Sequence, residues 1–536
     1  MALVRRLVAV FRGVVEHARR TPRSRWWTTF GLASILCLSW ALATPLFAAP
    51  DEPAHVVRAA SIARGTIMGE VVRQSTPAER GAFRAIDFKG AYRVRLPEIF
   101  RSAYTAGCFA FQADKTANCA SFRGSNRNVD VLTTAGGQPP AYYAVVGILS
   151  RPFPNGTAMI YYMRFVSALM TCALLASAIA SLERTARPAL AYAGVAVAIT
   201  PMVLFLGGVV NPSGVEIAAA LCVWTSGAAL VREAALRIDR RLVARLTVGA
   251  GALALARPLG PFWLALIGIA LLSISAREGW ARIWTSRPIR IGALVVATCS
   301  VAQVAWIASV GTLNTATTNT VGINLPWVNL TRGSIGMSFT RFEQMIGVFG
   351  WLDTNAPGFT LFLWILALGS VLTLAVLVGH RRLVAATTVL VGLTILVPIA
   401  LEVPNVPAAG YFWQGRYTLP LAVGVPVLAG IAAAAARLNE SLRVGRFLTI
   451  VGSALVVGQI LAFMQALRRY TVGIRGALLF WRHGSWSPPV STIGIVIVFA
   501  LGYAAFVAWL FTMRFPREVA TADRPAAPPG AARDEV

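Results

Sequence analysis

The chain has 536 residues, of which 56% are apolar and only 13% are charged. Soluble domains carry about 25% charged residues, so this composition excludes a soluble protein and indicates a membrane protein. The formal net charge is +27, but the arginines lie in clusters between apolar runs, which is typical of topology signals and headgroup contacts rather than of nucleic-acid binding.

Residues 1–27 predict a cytoplasmic amphipathic segment. Apolar and basic residues recur at roughly helical spacing over 3–20, as in a helix that lies on a membrane surface. Trp26 and Trp27 then mark the membrane interface. Because no clean small-x-small cleavage site precedes residue 50, a retained anchor is favoured over a cleaved signal peptide.

Long apolar runs predict an all-α integral membrane domain over residues 28–513. It would contain about 12 transmembrane helices (11–13), because each crossing needs roughly 17–25 apolar residues. The run at 242–256 is short and contains Arg245, and losing it alone would invert the topology of everything that follows. We place the spans at 28–48, 158–182, 189–209, 213–231, 242–256, 259–275, 289–310, 358–379, 383–401, 417–437, 447–467 and 491–513.

Basic residues orient this arrangement. With the N-terminus in the cytoplasm, the cytoplasmic segments hold many more Arg and Lys residues than the short external loops do, as the positive-inside rule requires. Both termini are then cytoplasmic, and the Ala/Pro-rich residues 514–536 predict a disordered cytoplasmic tail. The predicted external loops are 50–157, 311–357, 402–416 and 468–490.

Residues 50–55, with the sequence PDEPAH, form the densest cluster of reactive side chains and open the first external loop. A helix is predicted over 52–64, with Gly65 as its C-cap. Asp51 and Glu52 either cap this helix, or Asp51 is a catalytic general base for an acceptor hydroxyl with Glu52 as the neighbour that tunes it. We favour the second interpretation, because ionisable groups at membrane sites are functional by default.

His55 lies four residues after Asp51, on the same helix face. Three roles are open for it: holding a divalent cation together with Asp51, hydrogen-bonding a phosphate, or pairing with a nearby carboxylate. The cation is the least favoured, and no cofactor or metal site is firmly implied. The sequence also has no internal repeat, Gly-rich nucleotide loop, CxxC pair or HExxH helix. It shows no soluble nucleotide-binding domain either, which argues against an ATP-driven pump.

Cys108 and Cys119 lie in the same loop, on the oxidising side of the membrane in this topology. We predict a disulfide between them, worth up to about 3 kcal/mol for a loop of this size. The motif QPPAYY, which contains Tyr142, follows at 138–143 and precedes an apolar run too short to cross a membrane. This run predicts a second helix at the outer surface.

The stretch NPSGVE at 211–216 opens the fourth predicted span. Ser213 and Glu216 match a capping box, which is a purely structural interpretation. The alternative is that Asn211 and Glu216 line an external cavity and contact a substrate.

Arg257 and Arg416 each lie at the external end of a span, against the positive-inside bias. Guanidinium groups that clamp a lipid phosphate would explain this placement, whereas the simpler alternative is that they extend to lipid headgroups. We favour the clamp for Arg416, which lies between Gln414 and Tyr417 in the motif QGRY.

Trp351 and Asp353 belong to the motif GWLD at the end of the second long external loop. An aromatic ring there suits the face of a sugar, although membrane-interface belts contain the same residue types. Asp353 is a candidate polar contact for a sugar hydroxyl or a second acid.

Six motifs occur in a fixed order over about residues 45–425: PDEPAH, QPPAYY, NPSGVE, RPLGP, GVFGWLD and QGRYTLPL. Together they resemble a bacterial family of multi-pass membrane proteins of unassigned function. That family in turn is similar to the GT-C superfamily of membrane glycosyltransferases, which use polyprenyl-phosphate-linked sugars. The resemblance implies a GT-C-like fold with a large first external loop that contains juxtamembrane helices. It also implies a catalytic acidic residue just after the first span, at Asp51.

These patterns lead to a functional hypothesis. The chain is expected to be a glycosyltransferase of the bacterial inner (plasma) membrane. It would move a sugar from a polyprenyl phosphate to a cell-envelope glycan, lipid or protein acceptor on the external face. The resemblance implies that the reaction inverts the anomeric centre. The expected partners are the bilayer, the lipid-linked sugar and the acceptor. Alternatives are a transporter or flippase of a lipid-linked saccharide and a non-catalytic scaffold for envelope-polymer assembly.

Overall fold

The computed structural model describes residues 16, 18–72, 91–183, 188–233, 238–275, 277–312, 323–435 and 442–512. Residues 1–15 of the predicted amphipathic segment and the whole predicted tail 514–536 lie outside the described residues. Within these ranges the chain is mostly helical.

Nine helices in the described ranges are long and apolar enough to cross a membrane, so the chain is a multi-pass membrane protein. A buried aromatic cluster lies at their centre, where the Trp40 ring contacts the rings of Phe205, Phe349, Phe463 and Phe499. The nine spans are Pro22–Ala43, Thr157–Ser181, Pro212–Arg232, Arg287–Val310, Gly358–Val378, Arg381–Ala409, Gly415–Ala435, Val444–Val472 and Thr492–Phe511.

A tenth candidate is a broken helix. Ala189–Ala198 and Pro201–Gly207 meet at an angle of 68°, and together they cover the predicted span 189–209. The break has a local cause, because Pro201 starts the second helix and Thr200 caps it, and proline cannot continue a preceding helix. The Thr200 hydroxyl also donates to the carbonyl of Met345 at 2.7 Å, which holds the bend from outside.

The count of nine or ten is lower than the predicted twelve, because two predicted spans are too short. The runs 242–256 and 259–275 form helices Arg240–Ala256 and Gly260–Ser273, of 17 and 14 residues. At 1.5 Å per residue they are about 25 and 21 Å long, less than the roughly 30 Å of a hydrocarbon core.

The first loop begins with the predicted helix, which runs from Glu52 to Ala63 and has every residue buried. Gly65 follows at a φ of +87°, a conformation that glycine adopts without strain. The second predicted helix is Pro140–Ser150, and it packs closely on the first. A Cβ atom at Gly147 would lie 2.1 Å from the carbonyl oxygen of Ala59, so only glycine permits this approach.

A small antiparallel sheet, absent from the all-α prediction, lies in the same loop. Strands β1 (Glu70–Val71), β2 (Tyr92–Pro97) and β3 (Asn128–Thr133) pair in the order β1-β2-β3. Strand β2 alternates buried and more exposed residues over most of its length, as expected for a strand with one face on the core. The Thr133 hydroxyl donates to the carbonyl of Ala54 at 2.9 Å, which fixes the sheet to the helix Glu52–Ala63.

Short elements complete the fold. A second sheet pairs Val348–Phe349 with Thr354–Asn355. The remaining helices are Ser102–Thr105, Arg277–Thr285, Trp327–Gly336, Ser338–Gly347, Val406–Ala409, Phe480–His483 and the 3₁₀ turns Glu98–Arg101, Ala117–Cys119 and Val403–Asn405.

Segments distant in sequence meet at one end of the helical bundle. Residues 44–51 follow the first span, Arg257 ends the helix Arg240–Ala256, and residues 410–417 precede the span Gly415–Ala435. Hydrogen bonds and ring contacts join the three segments. We call this end of the bundle the site face.

Candidate functional site

Four hydrogen-bonded arginine–carboxylate pairs lie at the site face, and one of them differs from the rest. The carboxylate side chains of three pairs are only 0–8% exposed, so they are closed to solvent and to ligands. The carboxylate of the fourth, Asp51, is 47% exposed. The pairs are Arg164–Glu52, Arg341–Glu402, Arg469–Asp353 and Arg416–Asp51.

Glu52 lies in the interior. Its two oxygens accept hydrogen bonds from Nε and Nη2 of Arg164, both at 2.7 Å. The backbone N–H groups of Phe47 and Val210 donate to the same carboxylate at 2.9 and 3.1 Å. Both oxygens are therefore occupied and inaccessible, contrary to the predicted catalytic place of Glu52 beside a reacting hydroxyl.

This geometry predicts a large effect of Glu52→Gln on stability. The substitution leaves the buried Arg164 charge without its counter-ion, which costs about 3–5 kcal/mol in other buried pairs. We expect a loss of that size in the free energy of unfolding, measured by reversible unfolding in detergent–SDS mixed micelles. Glu70→Gln is the matched control, because the Glu70 side chain is 75% exposed; equal stability of the two variants would contradict a supporting role for Glu52.

Asp51 has an unusual backbone conformation, with φ +61° and ψ +5°. Left-handed geometry is costly for a residue with a Cβ, and here neighbouring side chains fix it. The carbonyl of Pro50 accepts a hydrogen bond from Asn211 Nδ2 at 3.0 Å and a longer one from Arg416 Nη1 at 3.5 Å. Within the described residues the Asp51 side chain makes no capping hydrogen bond, so the helix-cap interpretation is wrong.

The Asp51 carboxylate is instead aimed at Arg416, with Oδ2 and Nη2 2.5 Å apart. Burial raises the pKa of the Asp51 carboxyl, but the charge of Arg416 and its hydrogen bond outweigh burial, so the pKa lies below its ordinary value. In this arrangement Asp51 is ionised and masked by its partner.

The segment before Arg416 is held by side chains from two other helices. Glu402 accepts from the backbone N–H of Trp413 at 2.8 Å, and Gln344 accepts from that of Gly415 at 2.7 Å. A Cβ atom at Gly415 would lie 2.2 Å from a backbone carbonyl oxygen, so glycine is required beside Arg416. These contacts fix the guanidinium, which is 3% exposed and whose buried Nε has no hydrogen-bond partner among the described residues.

Arg257 approaches the same place from the end of its helix. Its Nη1 donates to Ser213 Oγ at 2.5 Å, and its guanidinium carbon lies 4.9 Å from the centre of the Tyr417 ring. The guanidinium carbon of Arg416 lies 5.2 Å from the same ring. Two positive charges therefore lie against one Tyr417 ring at the site face, an arrangement suited to an anion with more than one oxygen.

Asn211, and not Ser213, caps the helix at NPSGVE. Its Oδ1 accepts from the backbone N–H of Ser213 at 2.9 Å, while Ser213 bonds to Arg257, so the predicted capping box is wrong. Glu216 is 2% exposed, and its Oε2 lies 3.9 Å from Arg257 Nε. Asn211 and Glu216 thus both belong to the site, with Asn211 acting on the peptide that carries Asp51.

His55 pairs with a tyrosine that sequence reasoning missed. Its Nδ1 lies 2.8 Å from the hydroxyl of Tyr143, and burial lowers the pKa of His55 to about 3. The imidazole is therefore neutral at physiological pH. In the described part of the chain, no three His, Cys, Asp or Glu side chains come together in a group that could hold a metal ion.

The His55 environment predicts a pH-dependent stability. An unfolded histidine has a pKa of about 6.5, so protonation favours the unfolded chain; the stabilisation from His55 is complete above pH 6.5 and is lost as the pH falls towards 3. We expect the thermal midpoint of His55→Gln to fall less steeply than that of the parent between pH 6.5 and 4.5. His483→Gln, at an exposed histidine, should retain the parental slope, and a parental slope in His55→Gln would refute a neutral buried imidazole.

Most of the residues described above lie in a part of the chain that matches one protein family. A family described as "Predicted membrane protein (DUF2142)" matches residues 34–425. The chain belongs to this family. The DUF2142 segment contains Asp51, Arg257 and Arg416, whereas Arg469, the partner of Asp353, lies beyond it.

Two solved structures are similar to the chain. They are crystal structures of ArnT from Cupriavidus metallidurans, one bound to undecaprenyl phosphate and one in the apo state, each 15% identical in sequence. The first has a TM-score of 0.41 and the match covers 91% of this chain and 77% of ArnT; the second has a TM-score of 0.42, with 92% and 78% covered. No curated protein sequence matches the chain.

Several residues predicted to bind substrate have other places in this DUF2142 protein. Tyr142 is buried, and its hydroxyl lies 2.9 Å from Ser167 Oγ. It therefore packs between helices and is not available to a substrate. Asp353 is paired with Arg469 at 2.8 Å and is closed to a sugar hydroxyl. Trp351 remains partly exposed, although its indole N–H donates to the carbonyl of Phe47 at 3.0 Å.

Gln414 lies next to Arg416, and in the described structure its buried Oε1 has no hydrogen-bond partner. Cys108 and Cys119 form the predicted disulfide, with Cα atoms 6.2 Å apart.

Among the residues that the sequence analysis missed, Arg164 had the clearest signal. An arginine within an apolar span requires a partner, and the first loop holds several acidic residues, of which the sequence does not single out Glu52.

Proposed function

We propose that the chain is a membrane glycosyltransferase that moves a sugar from a polyprenyl phosphate to an acceptor hydroxyl. One observation carries this proposal: a half-exposed carboxylate, Asp51, is held against the buried guanidinium of Arg416, and the guanidinium of Arg257 contacts the same Tyr417 ring as that of Arg416. A general base and a leaving-group stabiliser are then present at one site. An inverting displacement needs them on opposite faces of the anomeric carbon, so the donor sugar has to enter between Asp51 and Arg416.

Donor binding would unmask the base. A sugar phosphate competes with Asp51 for Arg416, and it adds contacts to Arg257 that Asp51 does not make. Once Arg416 is turned to the phosphate, the effect that lowers the pKa of Asp51 is lost, and the carboxylate becomes a stronger base. Asp51 would thus become reactive only when the donor is present.

Transfer then follows in one displacement. The acceptor hydroxyl gives its proton to Asp51, its oxygen forms a bond to the anomeric carbon, and the bond from that carbon to the phosphate oxygen breaks. The leaving polyprenyl phosphate keeps the electron pair, and Arg416 and Arg257 neutralise its charge. Attack from the side opposite the phosphate inverts the anomeric centre.

We also propose that the site faces the outside of a bacterial inner membrane, with both termini in the cytoplasm. The Cys108–Cys119 disulfide lies in the same loop as Asp51, and disulfides persist on the oxidising side of the membrane. An acceptor in the cell envelope is accessible from that side.

The deciding experiment uses purified protein in vesicles with a panel of labelled hexosyl- and pentosyl-phosphoryl undecaprenols and envelope fragments as acceptors. Release of undecaprenyl phosphate together with labelled, elongated acceptor supports transfer. Movement of the intact lipid-linked sugar between leaflets without bond cleavage would instead identify a transporter, and neither cleavage nor movement would leave a scaffold.

A further inference from the structure

Four non-glycine residues in the described chain have a positive φ: Phe47, Asp51, Phe111 and Leu352. Such conformations are uncommon and are true outliers for bulky side chains. They persist where the surroundings impose them, commonly at functional sites. All four are connected here, because Leu352 follows Trp351, whose indole N–H donates to the carbonyl of Phe47 at 3.0 Å.

Phe111 is the member of this group with the most exposed ring. Its side chain is 62% exposed, and its ring centre lies 5.4 Å from that of Trp351, with the planes tilted by 56°. Single exposed phenylalanines are common on protein surfaces. An exposed phenylalanine that is also held at a φ of +61° has a backbone cost and, apart from its contact with Trp351, little packing gain, and therefore calls for another role.

The segment that carries Phe111 is firmly held. The Cys108–Cys119 disulfide closes it, and the buried guanidinium of Arg469 donates to three of its carbonyls, those of Phe109, Gln112 and Lys115, at 2.8–3.1 Å. The same guanidinium pairs with Asp353, two residues after Trp351. One arginine thus fixes both rings relative to each other.

We propose that Phe111 and Trp351 form an acceptor subsite that binds the apolar face of a saccharide ring. This inference rests on the proposed function. Phe47, which is bonded to Trp351, lies four residues before Asp51, so the two Cα atoms are at most about 14 Å apart. A saccharide seated on the two rings would present its next hydroxyl towards the base.

The surroundings of the two rings favour a saccharide over lipid. The adjoining side chains are polar and exposed, with Arg475 89% and Asp114 58% exposed and their charged atoms 3.8 Å apart. Gln112 and Lys115 are exposed on the same loop. Aromatic faces with a rim of hydrogen-bonding groups match a sugar, which has apolar faces and polar edges, whereas acyl chains would leave these groups without partners.

Phe111→Gly provides the sharpest test, because glycine accepts a positive φ without strain. The thermal midpoint of the variant, measured beside that of the parent, separates loss of binding from misfolding. We expect about a tenfold increase in the KM for envelope saccharide fragments, the effect of one aromatic contact, with unchanged undecaprenyl phosphate binding. Phe111→Tyr keeps an aromatic ring and should have the parental KM. Phe359→Ala removes another exposed phenylalanine (55%) and should also leave the KM unchanged.

Saturation-transfer NMR with the same fragments, released from the envelope by mild acid, measures binding to the full chain without catalysis. Loss of the saccharide signal in Phe111→Gly supports the subsite even if no transfer is detected. Transfer that depends on Asp51 but is indifferent to Phe111→Gly would overturn the subsite and leave the proposed function standing. An unchanged saccharide signal together with weaker vesicle insertion would show that the rings belong to a membrane belt and would also overturn it.

Discussion

Asp51→Asn is expected to lower the rate of sugar transfer by about 10²–10⁴-fold, the usual contribution of a general base. Asparagine has the shape of the native side chain and can still accept a hydrogen bond from Arg416, but it cannot take a proton. The Asp51 side chain is 47% exposed, so the new amide meets little desolvation and the fold should persist. The measurement is single-turnover transfer from undecaprenyl-linked donor, with the thermal midpoint as the check on folding.

Asp130→Asn is the matched control for this change. Asp130 lies in the same loop and is exposed. The variant Asp130→Asn therefore has the same change of net charge at a position outside the proposed active site, and it should transfer sugar at the parental rate. Because the neutral amide in Asp51→Asn no longer competes as an anion for Arg416, donor binding should stay equal or tighten. An Asp51→Asn variant with parental transfer would show that another group, or none, acts as the base.

Arg416→Lys should lower transfer by about 10²–10³-fold, in line with the removal of one oriented donor to a developing negative charge. Lysine keeps the positive charge but loses the planar pair of N–H groups that holds an oxyanion in two places. It also frees Asp51 from its 2.5 Å contact, so the acidic limb of the pH–rate profile should move to higher pH. Donor titration and pH–rate profiles measure the two effects separately.

Arg382→Lys controls for the exchange itself, since Arg382 is exposed at the opposite end of the helix Arg381–Glu402 from the site face. The effects of Asp51→Asn and Arg416→Lys on the activation free energy of transfer should not be additive. If Arg416 acts partly by masking Asp51, the double variant will lose less than the sum of the single losses in free energy. Strict additivity, or a pH–rate profile that does not move in Arg416→Lys, would mean that the contact between the two side chains has no part in the reaction.

The sequence was informative about the position of Asp51 because its signal is local. An acidic motif directly after an apolar run must lie near a membrane surface. Arg416 lies beside another apolar run, far along the chain, and is a natural partner for it. The sequence could not distinguish Asp51 from Glu52, because neighbouring side chains at a helix start point in directions about 100° apart. Which of the two enters the interior depends on Arg164, more than a hundred residues away.

Other differences have similar causes. Trp351 and Asp353 are in a motif that suits a sugar, yet Asp353 is taken by Arg469, whose position is set by how the span Val444–Val472 packs. The count of twelve crossings is not confirmed, because an apolar composition does not reveal where a helix stops. The small sheet was missed because strand β2 is only six residues long, and its alternation is weak evidence beside the helical signals around it.

The order in which the paired charges leave the ribosome gives the four ion pairs a further significance. Glu52 is made 112 residues before Arg164, Asp353 116 before Arg469, and Asp51 365 before Arg416. An arginine in or beside an inserting segment is unfavourable without a partner, and these three are made after their counter-ions. Of the four pairs, only Arg341 precedes its acid, by 61 residues. Biosynthesis would therefore make the carboxylate first in three of the pairs, and translation of Arg416 and Arg469 would complete the set.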